Sequence, residues 1–254
     1  MAEEQKWPDV LWVVRHGESA ANAARDHAET AGLGVIELAT RDPDAPLSDL
    51  GRRQADALGR WFGRLPPDRG PTVVLTSPYA RARETTRHAL DAAGLAHLAV
   101  VADERLRERE FGILDGLTRR GIEEKFPEQA MLRRHVGKFY HRPPGGESWC
   151  DVILRLRGVL ETLTREYRRE RVLVVAHQIV VLCFRYLLER LGEEELLAID
   201  RAADVANCSV TAFAFDPRQG RNGKLVLERF NFVSPLEEAG EPVTTASDAP
   251  AAAE

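Results

Sequence analysis

The sequence predicts an α/β protein, a three-layer α/β/α sandwich around a mostly parallel central sheet with a small helical cap insertion. Two observations carry this expectation. Val10-Leu-Trp-Val-Val14, Thr72-Val-Val-Leu-Thr76 and Arg171-Val-Leu-Val-Val-Ala176 are apolar, β-branched runs without the alternation of a half-exposed strand, so each reads as a strand covered on both faces. Between them the apolar period lengthens to that of a helix. Strand, polar cluster and helix therefore repeat along the chain.

The helical stretches have readable starts and stops. Ala55, Leu58, Phe62 and Leu65 share one face behind Ser48, whose hydroxyl can cap the first turn, and Pro66-Pro67 ends the pattern. Ser148-Trp-Cys-Asp151 has the form of a capping box and leads into Val152, Leu156, Val159, Leu160 and Leu163 on one side. Ile179 to Leu191 reads as a largely buried helix ended by Gly192. Val205 to Phe215 and Leu225 to Val233 are β-branched and aromatic, joined by a turn-rich segment, and read as a late strand pair at a sheet edge. One domain is expected over residues 9–235, with a flexible N-terminus at 1–8 and a cap insertion at about 118–142. Residues 236–254, rich in Ala, Pro, Thr, Ser and acidic residues without aromatics, are expected to be disordered.

Composition excludes several function classes. Of 254 residues, 44% are hydrophobic and 30% charged, as in an ordinary water-soluble domain. A formal net charge of -5 gives no general attraction to nucleic acid or an anionic membrane, so an anionic ligand must be held by local arginines. No apolar run is long enough to span a bilayer, and the polar N-terminus followed by a short apolar run offers no secretion signal. Cys150, Cys183 and Cys208 are too scattered for disulfide or metal patterns, and they read as reduced thiols in a cytoplasmic protein.

Three polar clusters follow the three buried strands, and in open α/β sheets ligands bind at the strands' carboxyl ends. Arg15-His16-Gly17-Glu18 places an imidazole there, and Gly17 would let the backbone approach a ligand. A neutral histidine with one free ring nitrogen can attack phosphorus, although taken alone a structural histidine at a strand end fits the tetrapeptide equally well. Ser77-Pro78-Tyr79-Ala80-Arg81 brings a guanidinium fork suited to phosphate oxygens to the same edge, and Ala176-His177-Gln178 brings a second histidine. Two histidines and two arginines would offset the charge of a transferring phosphoryl group, so neither metal nor cofactor is expected. A proton donor is sought in Leu106-Arg-Glu-Arg-Glu-Phe-Gly112. Repulsion from a bound phosphate favours a neutral carboxyl there, but physics alone leaves Glu108 and Glu110 as competitors.

Together these clusters resemble the histidine phosphatase superfamily, the phosphoglycerate mutase-like fold, from Val10 to about Val233. Arg15 to Asn22 meets the family pattern Arg-His-Gly-Glu-x-x-x-Asn. Pro46-Leu-Ser-Asp-Leu-Gly51 with Gln54-Ala55 matches the next motif, and Ser77-Pro78 with Arg81-Ala82 and Thr85 the one after. The resemblance implies that His16 is the nucleophile, that Arg15, Arg81 and His177 hold the phosphoryl group, and that the acid is Glu108, which lies four residues before Gly112. Asn22 is implied as a further ligand, with Gly17 and Glu18 beside the substrate.

The likeness is greatest to the fructose-2,6-bisphosphatase branch, through Lys138, Pro144-x-Gly146-Glu-Ser148 and His177-Gln178. It implies that Arg134, Lys138 and Gln178 bind the rest of a sugar phosphate. Leu182, Trp149 and the pair Arg119-Arg120 stand where that branch has an arginine and tyrosines. The expected activity is a metal-independent phosphomonoesterase acting on a small phosphorylated metabolite such as a sugar phosphate. The alternatives are a phosphoglycerate mutase-type isomerase, for which Arg133-Arg134 is an arginine pair without the following run of prolines, and a non-catalytic phospho-ligand binding module.

Overall fold

The computed structural model describes residues 5–246. The three buried runs form β1 (Val10–Arg15), β2 (Val73–Thr76) and β4 (Arg171–Ala176). With β3 (Val100–Ala102), β5 (Val210–Asp216) and β6 (Lys224–Phe232) they make one sheet of order β3-β2-β4-β1-β5-β6. β1 to β4 pair in parallel, whereas β5 runs antiparallel to β1 and β6 antiparallel to β5.

Side chains of β1 show why the runs lack alternation. Leu11 and Val13 enter one core with residues from α6 (Trp149–Glu166), α7 (Gln178–Glu189) and α8 (Glu193–Ala202). Trp12 and Val14 enter a second core against α2 (Asp49–Gly63) and α3 (Ala80–Ala93). A sheet with apolar layers on both faces requires continuous apolar strands. The caps form as read: Ser48 Oγ accepts from Gly51 N at 2.9 Å, and the Ser148–Asp151 box closes in both directions. After β1 comes α1 (Ala20–Thr30), and α4 (Arg119–Lys125) and α5 (Pro127–Val136) share a separate small core of Phe111, Leu114, Leu117, Ile122 and Ala130.

Four expectations are corrected. The helix after His177 stops at Glu189 because Arg190 takes a left-handed conformation (φ 59°), and Gly192 caps the start of α8 instead. Residues 205–209 are not strand. Cys208 has φ 54°, and its amide turns to the Arg15 carbonyl at 3.0 Å. The tail from residue 236 is anchored as far as Ala246: α9 (Ser234–Glu237) buries Leu236 in the α2 core, and Glu238 and Glu241 pair with Arg64 and Arg53. A composition poor in aromatics hid that single apolar anchor. At the other end, Trp7 packs on the first core and its carbonyl accepts from Arg169 N at 3.1 Å, so the chain is placed from Gln5. The rest of both expected flexible ends, residues 1–4 and 247–254, lies outside the described residues. Among the described residues no helix is long and apolar enough to cross a membrane.

Candidate active site

Sheet register brings the three clusters together. Arg15 pairs with Ala176 and Thr76 with Val175, so His16, Ser77 and His177 leave neighbouring strands side by side. The amides of His16 and Ser77 bond to Ala176 O and Val175 O, each at 2.9 Å. Arg15, His16 and His177 are fully buried, and Arg81 and Glu108 nearly so.

His16 Nδ1 lies 2.7 Å from Gly17 O. A carbonyl oxygen only accepts, so the proton sits on Nδ1 and the lone pair on Nε2. Arg81 Nε donates to that Nε2 at 3.3 Å, and the His177 ring lies 5.1 Å away, edge to face. Arg81 is itself fixed by Asp42, through the backbone carbonyl at 2.6 Å and the carboxylate at 3.0 Å. His177 Nε2 meets Ser77 Oγ at 2.8 Å, and its Nδ1 lies 4.0 Å from Glu108 Oε2.

The loop holding His16 rests on α2. A Cβ on Gly51 would come within 1.9 Å of Glu18 O, and one on Gly17 within 2.6 Å of Gly51 O. Gly17 is therefore required by the helix contact, a reason its sequence context did not show. Its amide bonds to Thr85 Oγ1 at 3.0 Å. Glu18 turns to the helix start, accepting from Ser48 Oγ at 2.7 Å, while its amide meets Gln54 Oε1 at 2.9 Å. Asn207 Nδ2 donates to His16 O at 2.9 Å from the other side. Asn207 escaped the sequence reading because its segment reads as strand.

Geometry separates the two acid candidates. Glu110 is partly exposed and accepts from Tyr79 OH at 2.8 Å, with burial and that carboxylate together raising the Tyr79 pKa. Glu108 is buried toward His177, and its Oε1 is held by Arg109 N at 2.7 Å. Gly112 makes this loop possible: at φ 55° it packs where a Cβ would lie 2.1 Å from Pro144 O. Arg155 braces the loop by donating to Arg105 O at 2.5 Å and to Glu108 O at 3.2 Å while paired with Glu147 at 3.0 Å.

The outer residues are less united. Asn22 is buried and caps α1 through contacts with Ser19, while Gln178 donates to Asp204 at 2.8 Å. Arg134 is exposed, and Lys138 is committed to an ion pair with Asp200 over the Trp149 ring, so neither is placed in the buried cluster. Leu182 is fully buried core. Half-buried Arg133 acts on Arg109 and His141: burial and its charge together lower the Arg109 guanidinium pKa to about 10, and the same effects hold His141 at about 4.

Comparisons with known proteins identify the family. Residues 11–227 match the histidine phosphatase superfamily (branch 1). A 2,3-bisphosphoglycerate-dependent phosphoglycerate mutase of Chelativorans sp. is 32% identical over 201 residues, 77% of this chain and 88% of that protein. A probable fructose-2,6-bisphosphatase of Schizosaccharomyces pombe is 32% identical over 73% of this chain and 40% of its own length. Among solved structures, a mycobacterial glucosyl-3-phosphoglycerate phosphatase in complex with inorganic phosphate superposes with a TM-score of 0.65 at 25% identity, covering 89% of this chain and 99% of that one. The chain belongs to the histidine phosphatase superfamily, as an enzyme of the phosphatase and mutase type.

Proposed function

We propose that the protein is a phosphomonoesterase that passes the phosphoryl group through His16 to water. The observation that carries the reading is the fixed tautomer of His16, with Nδ1 engaged by Gly17 O and Nε2 beside Arg81. Nε2 attacks phosphorus while Glu108 protonates the leaving oxygen, giving a phosphohistidine and a free alcohol. Glu108, now ionised, takes a proton from water, which attacks the phosphohistidine and restores the ring. Arg15, Arg81 and His177 supply the positive field for the equatorial oxygens, and Asn22 a further donor. The scheme uses neither metal nor cofactor.

A small phosphorylated metabolite such as a sugar phosphate is the proposed substrate. Support comes from the buried site and from relatives named as phosphatases of glucosyl-3-phosphoglycerate and of fructose 2,6-bisphosphate. Arg134 and Lys138 are proposed to meet the rest of the substrate, with half-buried Arg133 beside them on the same stretch of chain. A mutase reading is favoured by the Chelativorans relative. A panel of fructose 2,6-bisphosphate, phosphoglycerates, nucleotide monophosphates and phosphopeptides, with His16→Ala as blank, decides between them. Release of phosphate from sugar phosphates is expected, whereas interconversion of phosphoglycerates without release would establish the mutase.

A further inference from the structure

Ala246, in the anchored tail, lies on the phosphate cluster. Ala246 O accepts from an Arg15 terminal nitrogen and from Asn22 Nδ2, the latter at 3.1 Å. These donors come from the end of β1 and from α1, and both are proposed phosphate ligands. The other Arg15 terminal nitrogen is bonded to Val205 O at 2.6 Å, which fixes the plane of the guanidinium. One carbonyl oxygen thus sits where two phosphate donors converge.

The segment before it is fastened to the supports of the His16 loop. Gln54 Nε2 donates to Pro242 O and to Thr244 Oγ1, each at 2.9 Å, while its Oε1 holds Glu18 N. Asn207 N donates to Thr244 O at 2.9 Å, and Thr244 Oγ1 to Asn207 Oδ1 at 3.0 Å. A groove of about 450 Å³, with Glu18, Asn22, Asp26 and His27 on one side and Thr244 to Ala246 on the other, leaves room for Ala246 to swing aside.

We infer that residues 242–246 form a gate anchored at Thr244, in which the Ala246 carbonyl takes the place of a phosphate oxygen on Arg15 and Asn22, so that docked strap and bound phosphate exclude each other. This rests on the proposal that Arg15 and Asn22 bind the phosphoryl group. Only the fraction of molecules with the strap lifted can bind, which weakens apparent affinity by that fraction and leaves the bound state's chemistry unchanged.

Truncation after Thr244 removes Thr245, Ala246 and residues 247–254 and keeps the anchor. Calorimetric titration with inorganic phosphate and orthovanadate is expected to show binding about tenfold tighter than in the full chain, as for loss of a competing hydrogen bond to a charged group. Substrate KM should fall in parallel at constant kcat. Thr244→Val, which loosens the anchor at full length, should shift both in the same direction by less, and serves if the truncated chain folds poorly. Unchanged or weaker anion binding in both variants overturns the gate. Because the titration needs no turnover, tighter binding without hydrolysis of any substrate would support the gate and remove the phosphatase reading. Hydrolysis through His16 with anion affinity untouched would do the reverse.

Discussion

A carboxyl group 4.0 Å from one buried histidine, and a second one bonded to a tyrosine, stand two residues apart in the same loop. On the proposed mechanism they do different work. Glu108→Gln keeps the shape but cannot donate the proton, and should lower kcat by about 10²- to 10⁴-fold for alkyl phosphates, far less for aryl phosphates whose leaving group needs no proton. Glu110→Gln should change kcat by less than about threefold, because its partner is Tyr79 rather than the reacting atoms. Rates on paired alkyl and aryl substrates check both. Equal losses at the two positions would contradict the assignment of the acid.

At the scale of elements, the His16 loop and the first turn of α2 touch backbone to backbone. Gly51→Ala puts a methyl within 1.9 Å of Glu18 O, so the helix start and the loop must separate. The expected result is a loss of about 1–3 kcal/mol in denaturant unfolding and a fall in kcat larger than any rise in KM. A fully active, equally stable variant would show that the contact is not needed. The motif containing Gly51 was legible in the sequence, but its reason was not, because strand and helix periodicities say nothing of how closely two backbones approach. Gln54 was legible only as part of that motif, while Asn207 was masked by β-branched neighbours that suggested strand. Both act through long-range bonds to one loop, which no local pattern encodes.

For the molecule as a whole, the apolar runs specified the sheet and its polar end, since covered strands leave their periodicity in the sequence. The tail was misread for the converse reason: its hold depends on Leu236 and a few backbone bonds rather than on average hydrophobicity. Acid stability also belongs to this scale. His141 is buried with neither ring nitrogen bonded, and burial with the charges of Arg133 and Arg109 keeps its pKa at about 4. The unfolded chain takes up that proton near pH 6.5, so stability should fall as pH drops from about 6.5 to 4, by up to about 1.4 kcal/mol per unit from this group. His141→Leu should flatten that slope in urea unfolding measured across the window. An unaltered slope would assign the acid sensitivity to other groups.

The central claim is that the phosphoryl group passes through His16. Rapid acid-free quenching of the enzyme with a ³²P-labelled substrate should trap a label that is stable in alkali, released by acid, located on His16 and absent from His16→Ala. Turnover without such a label, or a label that persists in His16→Ala, would contradict the account.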